Sequence, residues 1–487
     1  MTHASFVRAC VGNSHARVLC GALVLFALAG GACSDEDDDP QGPSVGAPGA
    51  AGGVVTTPIP GGAPSGSSTP GAAGAAGPGR SATISVGEQT RAQYCAGNGP
   101  PIEIIGVAGG ASGAAASCRS GLASEIFKFG LCACEDATFT GAFEIDALDS
   151  SQGASPANQV AASVGINDDL ISTGVLDIRG SLIAASSGLT PITSGTYNID
   201  GNFATNSDLV TTGANITFGR DLWVNGDILS IGLANVAGDV YQTPPHTLAG
   251  MTVAGQVLKQ DFTVPEPCAC AENQILDIAA IVAAGKANSH NADLGLDAGN
   301  RIDIGVGLPL DLDCGRFAFE AAHFVGVTEI RAHGRTALFI DGDLTITGAF
   351  GVDLGSSGEL DVFVTGNLLL TGSGDVGSVD RPAALRFYVG GGGDIAITGA
   401  HRFAANLYAP RANVVVTGAD DIYGSFFVGS YLVTGAQRMH YDAAILRSGG
   451  DGQSCTDDPP DCTRDLDCNS PNVCTSGSCR TLNDGPF

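Results

Sequence analysis

One three-residue phrase recurs through the C-terminal third of this chain and limits what it can fold into. An apolar residue followed by Thr-Gly stands at Ile346-Thr347-Gly348, Val364-Thr365-Gly366, Ile397-Thr398-Gly399, Val416-Thr417-Gly418 and Val433-Thr434-Gly435. Gly348 and Gly366, Gly399 and Gly418, and Gly418 and Gly435 are each about 18 residues apart, the coil length of a β-solenoid. In Asn413-Val414-Val415-Val416, alternation puts Val414 and Val416 on one face. Such β-branched residues suit a pleated, half-buried surface, and glycine suits a corner where φ turns positive. One rung cannot bury its apolar face alone. Rungs stacked at roughly 4.8 Å bury a continuous column. The rival is an antiparallel sandwich, whose strands recur every 8 to 12 residues or so. Because the same Thr-Gly or Gly-Asp turn returns each time, we expect an all-β chain built as a β-solenoid.

Two stretches carry this character. Residues 337–447 are the regular one, with room for about six coils. Residues 137–264 share a looser apolar-x-Gly-x-apolar phrase, as in Ile178-Arg179-Gly180-Ser181-Leu182 and Ile199-Asp200-Gly201-Asn202-Phe203. Between them, residues 265–336 form a connecting segment. It contains a helix bearing Leu276, Ile278, Ile281 and Val282, expected against the solenoid wall, and a return to strands near Gly315. Residues 89–136 read as a cysteine-rich cap, its short helix marked by Leu122, Ile126, Phe127 and Leu131. Such a helix commonly covers the open end of a solenoid.

The N-terminus reads as an address. Residues 1–32 form an export signal: Arg8 and Arg17 precede the apolar run 18–29, which is too short to span a bilayer. Cys33 follows Gly30-Gly31-Ala32. Residues 33–88 are a Gly, Pro, Ala and Ser tether that cannot offset its ordering entropy by burial. The chain carries a net charge of −28, and its lysines are Lys128, Lys259 and Lys286. Nucleic-acid binding has no electrostatic footprint here. The acidity serves solubility or weak cation association.

Of 15 cysteines, Cys10 and Cys20 lie in the leader. Beyond Cys33, the even set Cys95, Cys118, Cys132, Cys134, Cys268, Cys270, Cys314, Cys455, Cys462, Cys468, Cys474 and Cys479 reads as disulfides in an exported chain. Residues 448–487 form a polar tail too small for a core, in which Cys462, Cys468, Cys474 and Cys479 can pair among themselves. Zinc is the alternative there, although no Cys-x-x-Cys occurs. Cys95, Cys118, Cys132 and Cys134 can pair within the cap. That leaves Cys268, Cys270, Cys314 and Cys455 to link the middle to the tail.

The phrases LCACED, PCACAENQILDIAAIVAA, DCGRFAFE, TALFIDGDLTITG, NLYAPRANVVVTG, YGSFFVG and MHYDAAIL resemble a family of exported myxobacterial β-helical lipoproteins of unknown function. Some PilX-type pilus-associated proteins are similar in their C-terminal β-helix. The resemblance implies a right-handed parallel β-helix at the cell surface and defines no catalytic residues. The leader resembles a bacterial lipoprotein signal, which implies a lipid on Cys33. Gly30 stands where that pattern usually has Leu, so ordinary cleavage near Ala32 is the other reading.

A polysaccharide-active enzyme is the rival function on such a scaffold. It needs two carboxylates roughly 5 to 10 Å apart across one bond. Asp168-Asp169 and Asp420-Asp421 are adjacent pairs, but neighbours on a strand point to opposite faces, and corner roles suit them better. His401, His440 and Tyr441-Asp442 fall near coil ends. Trp223 and Phe218 suit wall packing better than sugar stacking, and the run Gly390 to Gly393 lacks the Lys of a phosphate loop. No catalytic, cofactor-binding or metal-binding residue is assigned. The expected function is an envelope-anchored structural or adhesive rod, held to a membrane through Cys33 and facing extracellular polysaccharide or envelope proteins. A pilus or secretion accessory role is a further alternative.

Overall fold

The computed structural model describes residues 82–86, 89–96, 103–109, 115–152, 161–186, 192–272, 274–295, 301–305, 308–399, 402–448, 472–475 and 478–481. The expectations placed on the leader, Cys33, His401 and Cys455 lie outside these residues, as does most of the tether and tail. In the tail, Asn472–Thr475 and Ser478–Thr481 pair antiparallel, with Cys474 opposite Cys479.

The body is a parallel β-solenoid of about 12 turns. Its stacking order differs from its sequence order. Rung by rung, the inward residues of one wall run Phe317, Leu338, Val362, Phe387, Leu407, Phe426. The next rung is Leu131, near the start of the ordered chain, and the stack continues through Val164, Leu182, Phe203, Leu222, Val240 and Val257. From Phe317 to Val240 each is at most 2% exposed. The two stretches seen in the sequence are therefore one continuous rod, with the later stretch stacked beneath the earlier one. Its strands begin at Arg301–Ile304, ahead of the regular coils expected from Ala337.

At the junction, Tyr431 to Asp442 pair in unbroken register with Ala137 to Leu148. Gly435 faces Gly141 there. Gly141 has φ of +140°, and a Cβ on it would lie 2.0 Å from the Gly435 carbonyl oxygen. Only glycine permits that approach. This glycine row runs through Gly399, Gly418, Gly435, Gly141, Gly174 and Gly195. The phrase at Val364-Thr365-Gly366 belongs to a different corner, because Gly348 pairs with Gly372 and Gly366 instead donates to Gly342. The phrase marks a corner without saying which one.

Residues 260–291 return along the outside of the rod from its Val257 end to its Phe317 end. Phe262 meets Trp223 edge-on at 5.3 Å. The Asn206 side chain donates to Val264 O (2.7 Å) and accepts from Val264 N (2.6 Å). Asn167 brackets Cys268 in the same way, at 2.8 and 2.9 Å. The Leu276 amide donates to the Tyr408 hydroxyl at 2.9 Å. Helix α3 then covers Ile278–Ala287, capped by Asp277 accepting from Ala280 N. Gly285 lies so close to the Phe339 ring that a Cβ would approach it to 2.4 Å. This strap explains a sequence oddity. Leu222–Val224 and residues 337–340 are buried throughout, with one face on the core and the other under the strap, so they read as continuous apolar runs.

Two shorter helices precede the rungs. Helix α1 (Arg91–Cys95) was not foreseen; it has a capping box from Thr90 and Gln93 and sits on the Phe317 end. Helix α2 (Leu122–Ile126) is the expected short helix, but Leu131 already belongs to the first rung. It packs against Ala443–Arg447 at the mid-rod junction rather than covering an end.

Candidate functional site

Several polar side chains at the corners, neutral and acidic, accept backbone hydrogen bonds from the next rung. Ser181 N donates to Ser163 Oγ, Asn202 N to Ser181 Oγ, and Asp221 N to Asn202 Oδ1, at 3.0 to 3.1 Å. Asp239 N donates to Asp221 Oδ1 (2.9 Å), and Gln256 N to Asp239 Oδ1 (2.7 Å). Asn367 N to Asp343 Oδ1 (2.7 Å) and Ser425 N to Asn406 Oδ1 (3.0 Å) repeat the pattern in the other stretch. Backbone groups that leave the strand ladder at a corner need such acceptors. Asp221, Asp239 and Asp343 are thus tied to the repeat.

Among the described residues, two corners gather three ligand groups each. Asp136, Asp168 and Asp169 bring carboxylate oxygens within 4.8 Å of one another. The opposite-faces argument fails here because residues 167–169 form a corner, where alternation lapses. The corner role itself is what the geometry shows: Asp169 N donates to Asp136 Oδ1 (3.1 Å), and Ser186 Oγ donates to Asp169 Oδ1 (2.6 Å). Burial, with Asp169, Asp136, Glu135 and Glu266 nearby, raises the Asp168 pKa above its ordinary value. The second group, Asp208, Asp227 and His246, was not singled out in the sequence. Asp227 accepts from the Thr247 amide and hydroxyl at 2.6 and 3.0 Å, bonds that lower its pKa. Oxygen donors of this kind match a hard divalent cation.

On the outer wall, Asp375, Arg402, Asp421, Arg438, Glu144 and Asp177 stack in register. Arg438 Nε lies 3.2 Å from Glu144 Oε2, and Arg402 lies 3.3 Å from Asp375. From Asp375 to Glu144 the signs alternate, which relieves the repulsion that stacked like charges would create; Asp177, next to Glu144 and of the same sign, pairs with Arg179 at 3.1 Å. Beside them, His440 Nδ1 sits 2.6 Å from Asp146 Oδ1, and the His440 ring lies 4.5 Å from that of Tyr423. Asp146 fixes the imidazole as an orienting carboxylate does. The pair completes a cross-rung ladder.

The other singled-out residues are structural in this arrangement. Tyr441 donates to Phe127 O at 2.9 Å, and buried Asp442 accepts from Ser150 N and Oγ, Ala383 N and Ala444 N. Trp223 is 1% exposed and stacks on Tyr241 at 3.8 Å beneath Phe262. Phe218 packs inside against Phe203. Gly390 and Gly391 are corner donors to Val364 and Gly366.

The cysteines depart from expectation. Cys95 pairs with Cys314, Cys132 with Cys268, and Cys134 with Cys270. Pairing of Cys95, Cys132 and Cys134 inside the cap is overturned, and so is the link from Cys268, Cys270 and Cys314 to the tail, because the strap carries Cys268 and Cys270 over the first rung while α1 reaches the far end. The side chain of Cys118 lies outside the described set, as do those of Cys455, Cys462, Cys468, Cys474 and Cys479.

Residues 276–447 match the model of a domain of unknown function, DUF7305. The DUF7305 span starts on the strap and ends at the junction helix, so the rungs from Leu131 to Lys259 lie outside it. No curated protein matches the chain. Among solved structures, the competence-associated pilin ComZ from Thermus thermophilus is similar over 78% of this chain and 82% of its own, at 11% identity and a TM-score of 0.19. That similarity is too low to carry an argument. Among the described residues no helix is long and apolar enough to cross a membrane.

Proposed function

We propose that the chain is an exported, envelope-anchored rod that serves as a structural or adhesive surface element. The observation that supports this best is the set of disulfides Cys95–Cys314, Cys132–Cys268 and Cys134–Cys270, which lock the strap and the N-terminal helix to a continuous stack. Such bonds persist in oxidising compartments outside the cytoplasm. The basic leader, its apolar run and Cys33 fit the same address, and the Gly- and Pro-rich residues behind Cys33 would lift the rod from a membrane. Corner acids held as backbone acceptors and wall charges paired between rungs favour a passive, rigid surface over a reactive groove.

The anchoring half is tested by metabolic labelling with a lipid precursor. Label on the wild type and none on a Cys33→Ser variant supports it; an unlabelled wild type released into the medium removes it. The adhesive half is tested by binding of the purified rod to arrayed glycans and envelope fractions. Retention on an acidic or neutral polysaccharide supports it, and no retention on any surface leaves a purely structural rod.

A further inference from the structure

Between the strapped wall and the charged wall lies a third, two outward residues wide. Its second rank is built from the Thr of the recurring phrase. Val325, Thr347 and Thr371 stack in register, and Leu368–Ser373 then lies against Ile395–Gly399. From there the rank runs through Thr398, Thr417 and Thr434, crosses the mid-rod junction to Thr140 and Thr173, and ends through Thr212 at Ile231. The first rank stands two residues earlier in each rung, on the same face. From Thr345 to Leu229 it holds Thr345 and Thr138 and is otherwise apolar, as at Val415 and Ile171.

This wall excludes charge. Residues 345–349, 369–373, 396–399, 415–419, 432–436, 138–142, 171–175, 192–196, 210–215 and 229–233 contain no Asp, Glu, Lys or Arg, in a chain that is 15% charged. The wall beyond the glycine corner carries Arg438, Glu144 and Asp177 on the same rungs. Exposed apolar side chains concentrate where the charges are missing. Seven of the ten large ones among the described residues are here: Leu229, Ile231, Val325 and Leu369 on the ranks, and Val175, Leu233 and Val327 one residue past the corner glycine. The Thr hydroxyls are held. Thr140 Oγ1 donates to Val433 O (3.0 Å), and Thr347 and Thr371 donate to Phe324 O and Ile346 O (3.4 Å each). Donation to the rung behind fixes the stiff χ1, so methyl and hydroxyl oxygen repeat in one orientation.

We infer that this wall binds ice. The partner is uncharged, because the wall has no charge to offer it while the rest of the chain is strongly acidic. It is also periodic, because the wall repeats one methyl and one hydroxyl every rung, about 4.8 Å apart. That spacing is close to the repeat of oxygen positions in the ice lattice. Water over the methyl groups keeps its bonds to water, and with no charge to turn it, such a shell merges with a growing crystal. A polysaccharide fits less well, since sugar rings stack on aromatic faces and no aromatic residue stands at an outward position of either rank. A second copy also fits less well. Two ranks over ten rungs from Thr347 to Ile231 span roughly 45 by 10 Å. That is well short of the roughly 800 Å² that each partner buries in a stable protein interface. Ice would be a partner for the adhesive half of the proposed function, and the inference is independent of the anchoring half.

The test uses the full chain carrying Cys33→Ser, purified without lipid. Ice grown slowly through its solution should take the rod up, and recrystallisation of a frozen film should be arrested. Thr140→Tyr with Thr173→Tyr, at two exposed positions, should raise the concentration needed at least tenfold with circular dichroism unchanged. Ile231→Lys, at the far end of the rank, should raise it several-fold. Asn235→Tyr, on the charged wall, should leave it as it was. Exclusion of the wild type from ice, or uptake indifferent to the variants at Thr140, Thr173 and Ile231, would overturn the inference. So would a dimer in sedimentation that those variants dissociate, since a second copy would then be the occupant. Retention on crystalline cellulose or chitin that those variants abolish, without uptake into ice, would overturn it too and leave the adhesive reading standing.

Discussion

The Phe426 amide donates to the Gly130 carbonyl at 3.0 Å, joining the last rung in sequence to the first. Every rung before that bond comes from residues 301–442, and every rung after it comes from residues 131–259. Each half supplies the surface on which the other ends. The strap between them runs the length of the rod, so the halves cannot separate without exposing the wall it covers.

The junction should therefore be as sensitive as the middle of either half. Gly141→Ala forces a side chain into the Gly435 carbonyl at a φ of +140°. We expect a loss of at least about 1–3 kcal/mol, the usual cost of such backbone strain, seen as a lowered Tm. Gly295→Ala, with φ of +68° and nothing within 4 Å, should cost about 1 kcal/mol.

Arg386 is buried with Asp361 and also pairs with Glu359 at 2.7 Å. Arg386→Met leaves Asp361 buried without its guanidinium partner and should cost about 3–5 kcal/mol in denaturant unfolding. Adding Asp361→Leu should recover much of that loss.

Asp168 gives a pH signature. Its folded pKa is raised by burial and by Asp169, Asp136, Glu135 and Glu266. A raised carboxyl contributes stability below its unfolded value of about 3.9 and loses it as pH rises through the folded value. Asp168→Asn should therefore raise Tm near pH 7, with the gain shrinking towards pH 4. A gain that grows on acidification would contradict the placement of these four acids.

The strap should be structural in proportion to its crosslinks. Removing Cys132–Cys268 by Cys268→Ser should cost about 2–5 kcal/mol. Hydrogen exchange should then rise first at Leu276 and Ile278, whose covered positions depend on the strap staying docked.

The rungs were legible because Val414, Val416 and their equivalents alternate and glycine marks each turn. The order of the halves was not, since any order of rungs has the same periodicity. The phrase at Gly366 sits on another corner from Gly348, which spacing alone could not reveal. Cys132-Ala133-Cys134 and Cys268-Ala269-Cys270 echo each other in the sequence, and that echo was the available sign that they pair. Local pairing looked simpler only while the strap's course was unknown. Helix α1 was missed because five residues show no apolar period, although Thr90 and Gln93 form its capping box. Asp208, Asp227 and His246 stand 19 residues apart in successive corners, and no local motif joins them.

Peptide mapping of the unreduced chain tests the out-of-order rod most directly. A rod threaded in this way yields crosslinked peptides joining Cys95 to Cys314, Cys132 to Cys268 and Cys134 to Cys270. Recovery of Cys95 joined to Cys118, or of Cys132 and Cys134 bonded only within residues 89–136, would contradict it.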